Sequence, residues 1–290
     1  MKKYELTGET KEIGGKILHR IRALIDIPLH DVKAGDLGGW IEAERNLSQE
    51  GSAWVADEAW VTGSAWVTGS AWVTGEARVT GNAWVRGNAL VTGSAWVTGS
   101  AWVTGSAWVT GAACVTGKAR VTDSAWVTGA AWVRGNALVT GSACVTGSAC
   151  VTGKALVTGE ARVTGNAWVR GNALVTGSAW VTGSAWVTGS AWVTGEARVT
   201  GNAWVRGNAR VMESSDCITI GAIGSRDDTT TFYRGTDGGI YVSCGCFSGS
   251  IDDFSAEVKQ VHAGTKHERT YLLAIELAKA QIATEEENDG

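Results

Sequence analysis

Between Val55 and Val211 the apolar and polar positions follow one unbroken six-residue period: valine recurs at every sixth residue, 27 times, with alanine two places before it. Written from its valine, the unit is Val-Thr-Gly-(Ser/Asn/Glu/Lys)-Ala-(Trp/Arg/Leu/Cys). In extended chain, residues two apart share a side, so Ala53 and Val55 face one way and Trp54 and Ala56 the other. The pairs that follow, such as Gly87-Asn88 or Gly93-Ser94, are turn chemistry, because both members tolerate positive φ. Each hexad therefore predicts a short strand and a corner. Alanine and valine belong inside and tryptophan outside, because a close-packed column of Ala and Val leaves no volume for fifteen indoles.

One hexad cannot bury its inner face alone. Three of them close a triangular coil that stacks on the next at ~4.8 Å, so the 27 hexads predict nine coils and a rod of roughly 43 Å. Stacked valines supply the core, at ~1.5–3 kcal/mol for each fully buried side chain.

The flanks break the period. Residues 16–24 alternate like a strand and residues 34–41 read as a turn entering the first coil, so residues 1–52 are expected as an N-terminal β cap. An open β-helix end would template edge-to-edge association, and a cap prevents it. After Val211, residues 230–234 and 240–244 read as a β-hairpin around Thr236-Asp237-Gly238-Gly239. Ser250 with Asp253 starts a helix to about His262, and Thr265 with Glu268 starts another to about Ile282. The expected division is a cap (1–52), a hexapeptide-repeat β-helix (53–212), a C-terminal α+β module (213–283) and an acidic disordered tail (284–290).

Composition sharpens this picture. The 290 residues include 40 Gly and 16 Trp but only 3 Phe and 2 Met, so the apolar content is periodic rather than that of an ordinary core. Three of the six cysteines, Cys114, Cys144 and Cys150, occupy the outward slot of the repeat, which is no disulfide framework. Met1-Lys2-Lys3 is basic, but no apolar h-region follows and no stretch approaches ~18 apolar residues, so the expected compartment is the cytoplasm.

The pattern Val-x-x-x-Ala-x resembles the hexapeptide signature of left-handed parallel β-helix proteins, whose best-known members are trimeric acyltransferases. The resemblance covers more than half of the chain, and it is this resemblance that implies the left hand. One departure is Thr after most valines, where the family prefers Gly, Ala, Glu or Asp. The flanking segments, above all residues 33–42 and 243–247, resemble those of uncharacterised phage and prophage β-helix proteins. That implies a phage source and a virion-associated setting, and no activity.

Enzymatic chemistry finds little purchase. Hexapeptide acyltransferases typically use a histidine in a cleft beside an extruded loop, and here no histidine lies between Ala53 and Val211 and no hexad carries an insertion. The expectation is a non-enzymatic protein without a cofactor. The alternative chemistry is a zinc site built from Cys244, Cys246, His262 and His267. Cys244 and Cys246 would share one strand face, with both histidines at the inter-helix turn. The favoured reading is plainer, with small cysteines packing beneath the helices and solvated helix-end histidines.

The outward slot is the remaining candidate surface. Trp66, Trp84 and Trp102 fall in successive coils on one side, and Trp168, Trp186 and Trp204 on another, with Arg170 and Arg206 beside the second set. Stacked indoles would make aromatic ladders. An exposed apolar ladder points to self-association or protein docking, which ranks first. Glycan binding on indole platforms and stacking of single-stranded nucleic acid are alternatives. The repeat carries nine Arg and two Lys against six acids, too weak a field to favour nucleic acid. Threonine ladders could also order ice, but bulky indoles spoil the flatness.

Blocks starting at Glu76, Lys118 and Glu160 recur every 42 residues, which is seven hexads and not a multiple of three. Each copy is rotated onto another side, so repeat expansion alone accounts for part of the tryptophan pattern.

Overall fold

In a computed structural model residues 2–282 are described, and they form two compact units that divide between residues 153 and 154. The acidic tail expected at 284–290 lies outside the described residues. Both units are built on a parallel β-solenoid, and the second adds a small α+β module.

In the first unit, each hexad contributes a two-residue strand, such as Trp84–Val85, that pairs in parallel with the strand 18 residues on: Trp84 with Trp102 and Val85 with Val103. Eighteen residues are three hexads, so three parallel sheets line the coil. The repeat valines from Val55 to Val151, and the alanine two places before each, are fully buried. At most corners the glycine is the one residue with positive φ. Gly87 has φ +74° and Gly93 φ +70°, whereas the Asn or Ser that follows stays out of the left-handed region, and its N–H donates onward, as from Asn88 to Gly105 O at 2.7 Å.

A glycine is needed there twice over, because a Cβ on Gly99 would sit 2.9 Å from the backbone N and O of Gly117 in the next coil. At two corners, Asp57 and Asp123, aspartate takes the left-handed conformation instead, with φ +55° and +58°. Each carboxylate reaches the next coil, Asp57 accepting from Thr74 Oγ1 and Gly75 N, Asp123 from Thr140 Oγ1 and Gly141 N.

Each hexad donates three backbone hydrogen bonds to the coil that follows it in sequence, for example Trp84 N to Ala101 O, Arg86 N to Val103 O and Asn88 N to Gly105 O. These three N–H groups thus point toward the C-terminal side, and the first coil is left with carbonyls in need of donors. The cap provides them. It consists of β1 (Tyr4–Ile13), β2 (Lys16–Ala23) and β3 (Leu37–Ile41), the first two joined across Gly14-Gly15, both at positive φ. β3 runs antiparallel to β2 and parallel to Trp60–Val61, so Trp40 N and Glu42 N donate to Ala59 O and Val61 O. Side chains finish the set: Asn46 Nδ2 donates to Gly63 O and Ala65 O, and the buried Lys3 Nζ to Ala53 O at 2.7 Å. Within residues 34–41, expected only as a turn, β3 seats directly on the first coil. Gly38 and Gly39 permit it, since a Cβ on either would lie 2.6 Å from backbone oxygen of Val55 or Ala59.

The second unit repeats the solenoid from residue 154 to Val211. Here the last coil needs acceptors, and the module supplies them: Trp204 N donates to Thr231 Oγ1 at 3.0 Å, and Met212 N to Asp216 Oδ2 at 2.8 Å. Asp216 is itself held by Arg234 Nε at 2.7 Å. The expected hairpin is the centre of a four-stranded antiparallel meander, Cys217–Ile223, Asp228–Arg234, Ile240–Cys244 and Phe247–Ser250. Helices α1 (Ile251–Val261) and α2 (Lys266–Gln281) start on side-chain caps, Ser250 accepting from Asp253 N and Thr265 from Glu268 N. They pack Phe254, Val258, Ile275 and Ala278 on Phe232 and Val242. Among the described residues, no helix is long and apolar enough to cross a membrane.

Candidate interaction surface

The strand places every residue before a repeat valine on the outer surface, and the in-register parallel pairing brings residues 18 apart side by side. In the first unit Trp84 and Trp102 stack with ring centroids 5.2 Å apart and planes 6° from parallel, and Trp108 and Trp126 at 4.9 Å and 1°. Trp66 meets Trp84 edge-on instead, at 5.5 Å and 87°. In the second unit Trp168 stacks on Trp186 at 5.1 Å and Trp186 on Trp204 at 5.5 Å.

Stacking at this spacing uses up the ring faces. A stacked indole offers its edges to solvent, and only a terminal indole has a free face. Trp204, the terminal indole of its column, has the guanidinium of Arg206 4.1 Å from its ring centroid. Arg170, the other cation expected beside that column, is exposed. Sugars and bases both bind by laying a face on an aromatic face, so a closed ladder is a poor platform for either.

Arginines that replace tryptophan in the outward slot join the ladder, which the sequence alone did not reveal. Arg78 lies between Trp60 and Trp96, Arg120 against Trp102, and Arg162 and Arg198 on either side of Trp180. A planar guanidinium stacks on an indole much as another indole does, so the exchange preserves the column. The 18-residue spacing held the signal, since three hexads make a coil and Arg78 falls 18 residues from both Trp60 and Trp96. Threonines form a second set of ladders, with Oγ1–Oγ1 contacts of 2.9 Å for Thr80 and Thr98 and 2.8 Å for Thr110 and Thr128.

The exposed indoles are spread evenly. In the first unit Trp66, Trp96, Trp108, Trp126 and Trp132 each keep more than a third of their surface open, and they fall on all three sheets. In the second, Trp180, Trp192 and Trp204 do so, one on each sheet. Trp54 is the exception: it is buried under the cap, edge-on to Tyr4 at 6.5 Å.

The cap brings one histidine to the repeat. His30 stacks on Trp72 at 5.1 Å, and burial holds its pKa below the ordinary value.

In the C-terminal module Cys244, Cys246 and His262 line one cleft of about 460 Å³ between the meander and the helices, together with Arg226, Phe254 and Tyr271. His267 lies beside His262, ring centroids 5.9 Å apart. The two cysteines do not share a strand face. The strand ends at Cys244, Gly245 turns with φ +56°, and Cys246 is exposed beyond it. The Cys244 thiol accepts from Thr230 Oγ1 at 3.1 Å and donates to the Tyr271 hydroxyl at 3.7 Å, and burial pushes Tyr271 up to about 12. Among the described residues, no group of three or more His, Cys, Asp or Glu is placed to hold a metal ion, so the four residues of the alternative zinc reading share a neighbourhood without forming a coordination set.

No protein-family model and no curated protein matches the chain.

Proposed function

We propose that this protein is a non-enzymatic interaction scaffold that self-associates through the edges of its outward indole ladders. One observation carries the reading: large apolar side chains are held half-open on every side of the solenoid in both units, and within the ladders their faces are spent on each other or on arginine. Ordered indole edges on a rigid β surface suit another flat surface better than they suit a small ligand. Exposure on all sides suits repeated contacts with copies of the same chain rather than one receptor face. The sequence resemblance of the flanking segments to phage and prophage β-helix proteins fits such a role in a phage-encoded or virion-associated assembly.

The test is light scattering after gel filtration across a concentration series, for the wild type and for Trp168/Trp186/Trp204→Ser. The wild type is expected to gain mass with concentration and the variant to lag well behind it. Identical monomers at every concentration overturn self-association through that ladder.

A further inference from the structure

One outward column in the first unit contains an indole ladder with a rung missing. Trp96, Cys114 and Trp132 are consecutive members of the same sheet, with Trp96 opposite Cys114 and Cys114 opposite Trp132. Where the middle rung is aromatic, as at Trp84 between Trp66 and Trp102, it fills the space between its neighbours. A cysteine side chain reaches only to its sulfur. With no aromatic or guanidinium group at the middle rung, the two indoles flank a position of the column that only the Cys114 side chain occupies. Both walls are among the most open indoles in the molecule, Trp96 at 46% and Trp132 at 47% exposure.

The neighbouring site in the same column shows what such a space accepts. Trp60, Arg78 and Trp96 have the same two-rung separation, and there the middle position holds a guanidinium, 5.6 Å from one ring centroid and 4.7 Å from the other. Indole faces carry negative electrostatic potential, so a flat group bearing delocalised positive charge gains both dispersion and cation–π attraction from two walls at once. Burial pushes the Cys114 thiol pKa up, so the floor is an uncharged sulfur suited to contact rather than to covalent capture.

We infer that the slot between Trp96 and Trp132, above Cys114, is a binding site for a planar cation. Its occupant is either the guanidinium of a partner's arginine or a free heteroaromatic cation. The site is independent of self-association through the ladders, because it uses a position where a cysteine interrupts a ladder between two indoles of the first unit.

Cys114→Trp rebuilds the ladder with a residue the repeat already uses, so it closes the slot without disturbing the coil. Cys114→Ala keeps it open. Proflavine serves as the free heteroaromatic cation and N-acetyl-arginine amide as the guanidinium. The readout is protection of Cys114 from iodoacetamide, followed by mass spectrometry on the peptide that contains it, with indole quenching in parallel for the variants. Saturable protection of Cys114 is expected. Quenching should be retained in Cys114→Ala, and affinity should fall at least ~10-fold in Cys114→Trp and in Trp132→Ser. Protection by proflavine alone assigns a free heteroaromatic ligand, and protection by the arginine amide as well assigns a partner's side chain. No saturable protection by either probe, or equal quenching affinity in Cys114→Trp and wild type, overturns the proposal.

Discussion

The guanidinium of Arg78 sits between the indoles of Trp60 and Trp96, so an arginine in the tryptophan slot completes an aromatic column instead of interrupting it. Each contact is worth ~0.5–1 kcal/mol at an exposed site. Arg78→Ala should therefore cost about 1–2 kcal/mol, Arg78→Lys about half of that, and Arg78→Trp should cost nothing or stabilise. Urea unfolding midpoints read the order directly. An alanine variant as stable as wild type would remove the stacking account.

Corner glycines test the two constraints on the turn separately. Gly99 has φ +71° and no room for a Cβ against Gly117, so Gly99→Ala is expected to lose about 1–3 kcal/mol. Gly99→Asp should lose less, because Asp57 and Asp123 meet the same constraints with a carboxylate that accepts from the next coil's Gly N–H and Thr hydroxyl. Those hydrogen bonds are the first cause of the lowered pKa of both aspartates. A folded pKa below the unfolded one adds stability that is lost as pH falls through the folded value. The advantage of Gly99→Asp over Gly99→Ala should accordingly shrink in acid denaturation series, and a constant gap would argue against the carboxylate.

The cap carries an alkaline signature. Burial lowers the pKa of Lys3 to about 8 from 10.5, so between those values the unfolded chain binds more protons than the folded one and stability rises with pH. The gain is at most about 3 kcal/mol, at ~1.4 kcal/mol per unit. Tyr4 acts in the opposite sense. Burial, and then the charge of Glu44, raise its pKa above 10.0, so its contribution is complete below the unfolded value and is lost at higher pH. Unfolding curves from pH 7 to 11 should pass through a maximum near pH 10. In Lys3→Met the rising limb should flatten while the falling limb stays.

Close approach of β3 to the first coil makes Gly38 a sensitive position. A methyl group there meets Ile21 Cγ1 and Val55 O at 2.6 Å, and overpacking of that kind costs about 1–3 kcal/mol. Gly38→Ala should unseat the cap and bring protease cleavage into residues 1–52, while the repeat valines stay protected from hydrogen exchange. Unchanged cleavage would show that β3 tolerates displacement.

The repeat was legible because its physics is local and repeated. Ala and Val two apart, with a glycine corner, specify a strand with one small apolar face, and the period leaves no competing register. Ser250 and Thr265 were legible as helix starts for a similar reason, since a cap is a contact between residues three apart. The long-range pairings were not. β1 and the outer strands of the meander are ordinary alternating segments, although Gly14-Gly15 between two such runs was a usable hairpin sign. Cys244 and Cys246 looked like neighbours on a strand face until Gly245 turned between them.

The sequence by itself determined the unit of structure, its inward and outward sides, and the need for caps, because those follow from side-chain volume, alternation and unpaired backbone groups. Only the tertiary structure decided what the outside is. Placing residues 18 apart in contact gave Trp108 and Trp126 nearly parallel planes and made Arg78 a rung between two indoles. The hydrogen-bond direction along the coils likewise decided that Lys3 and Asn46 must donate at one end, and that Thr231 and Asp216 must accept at the other.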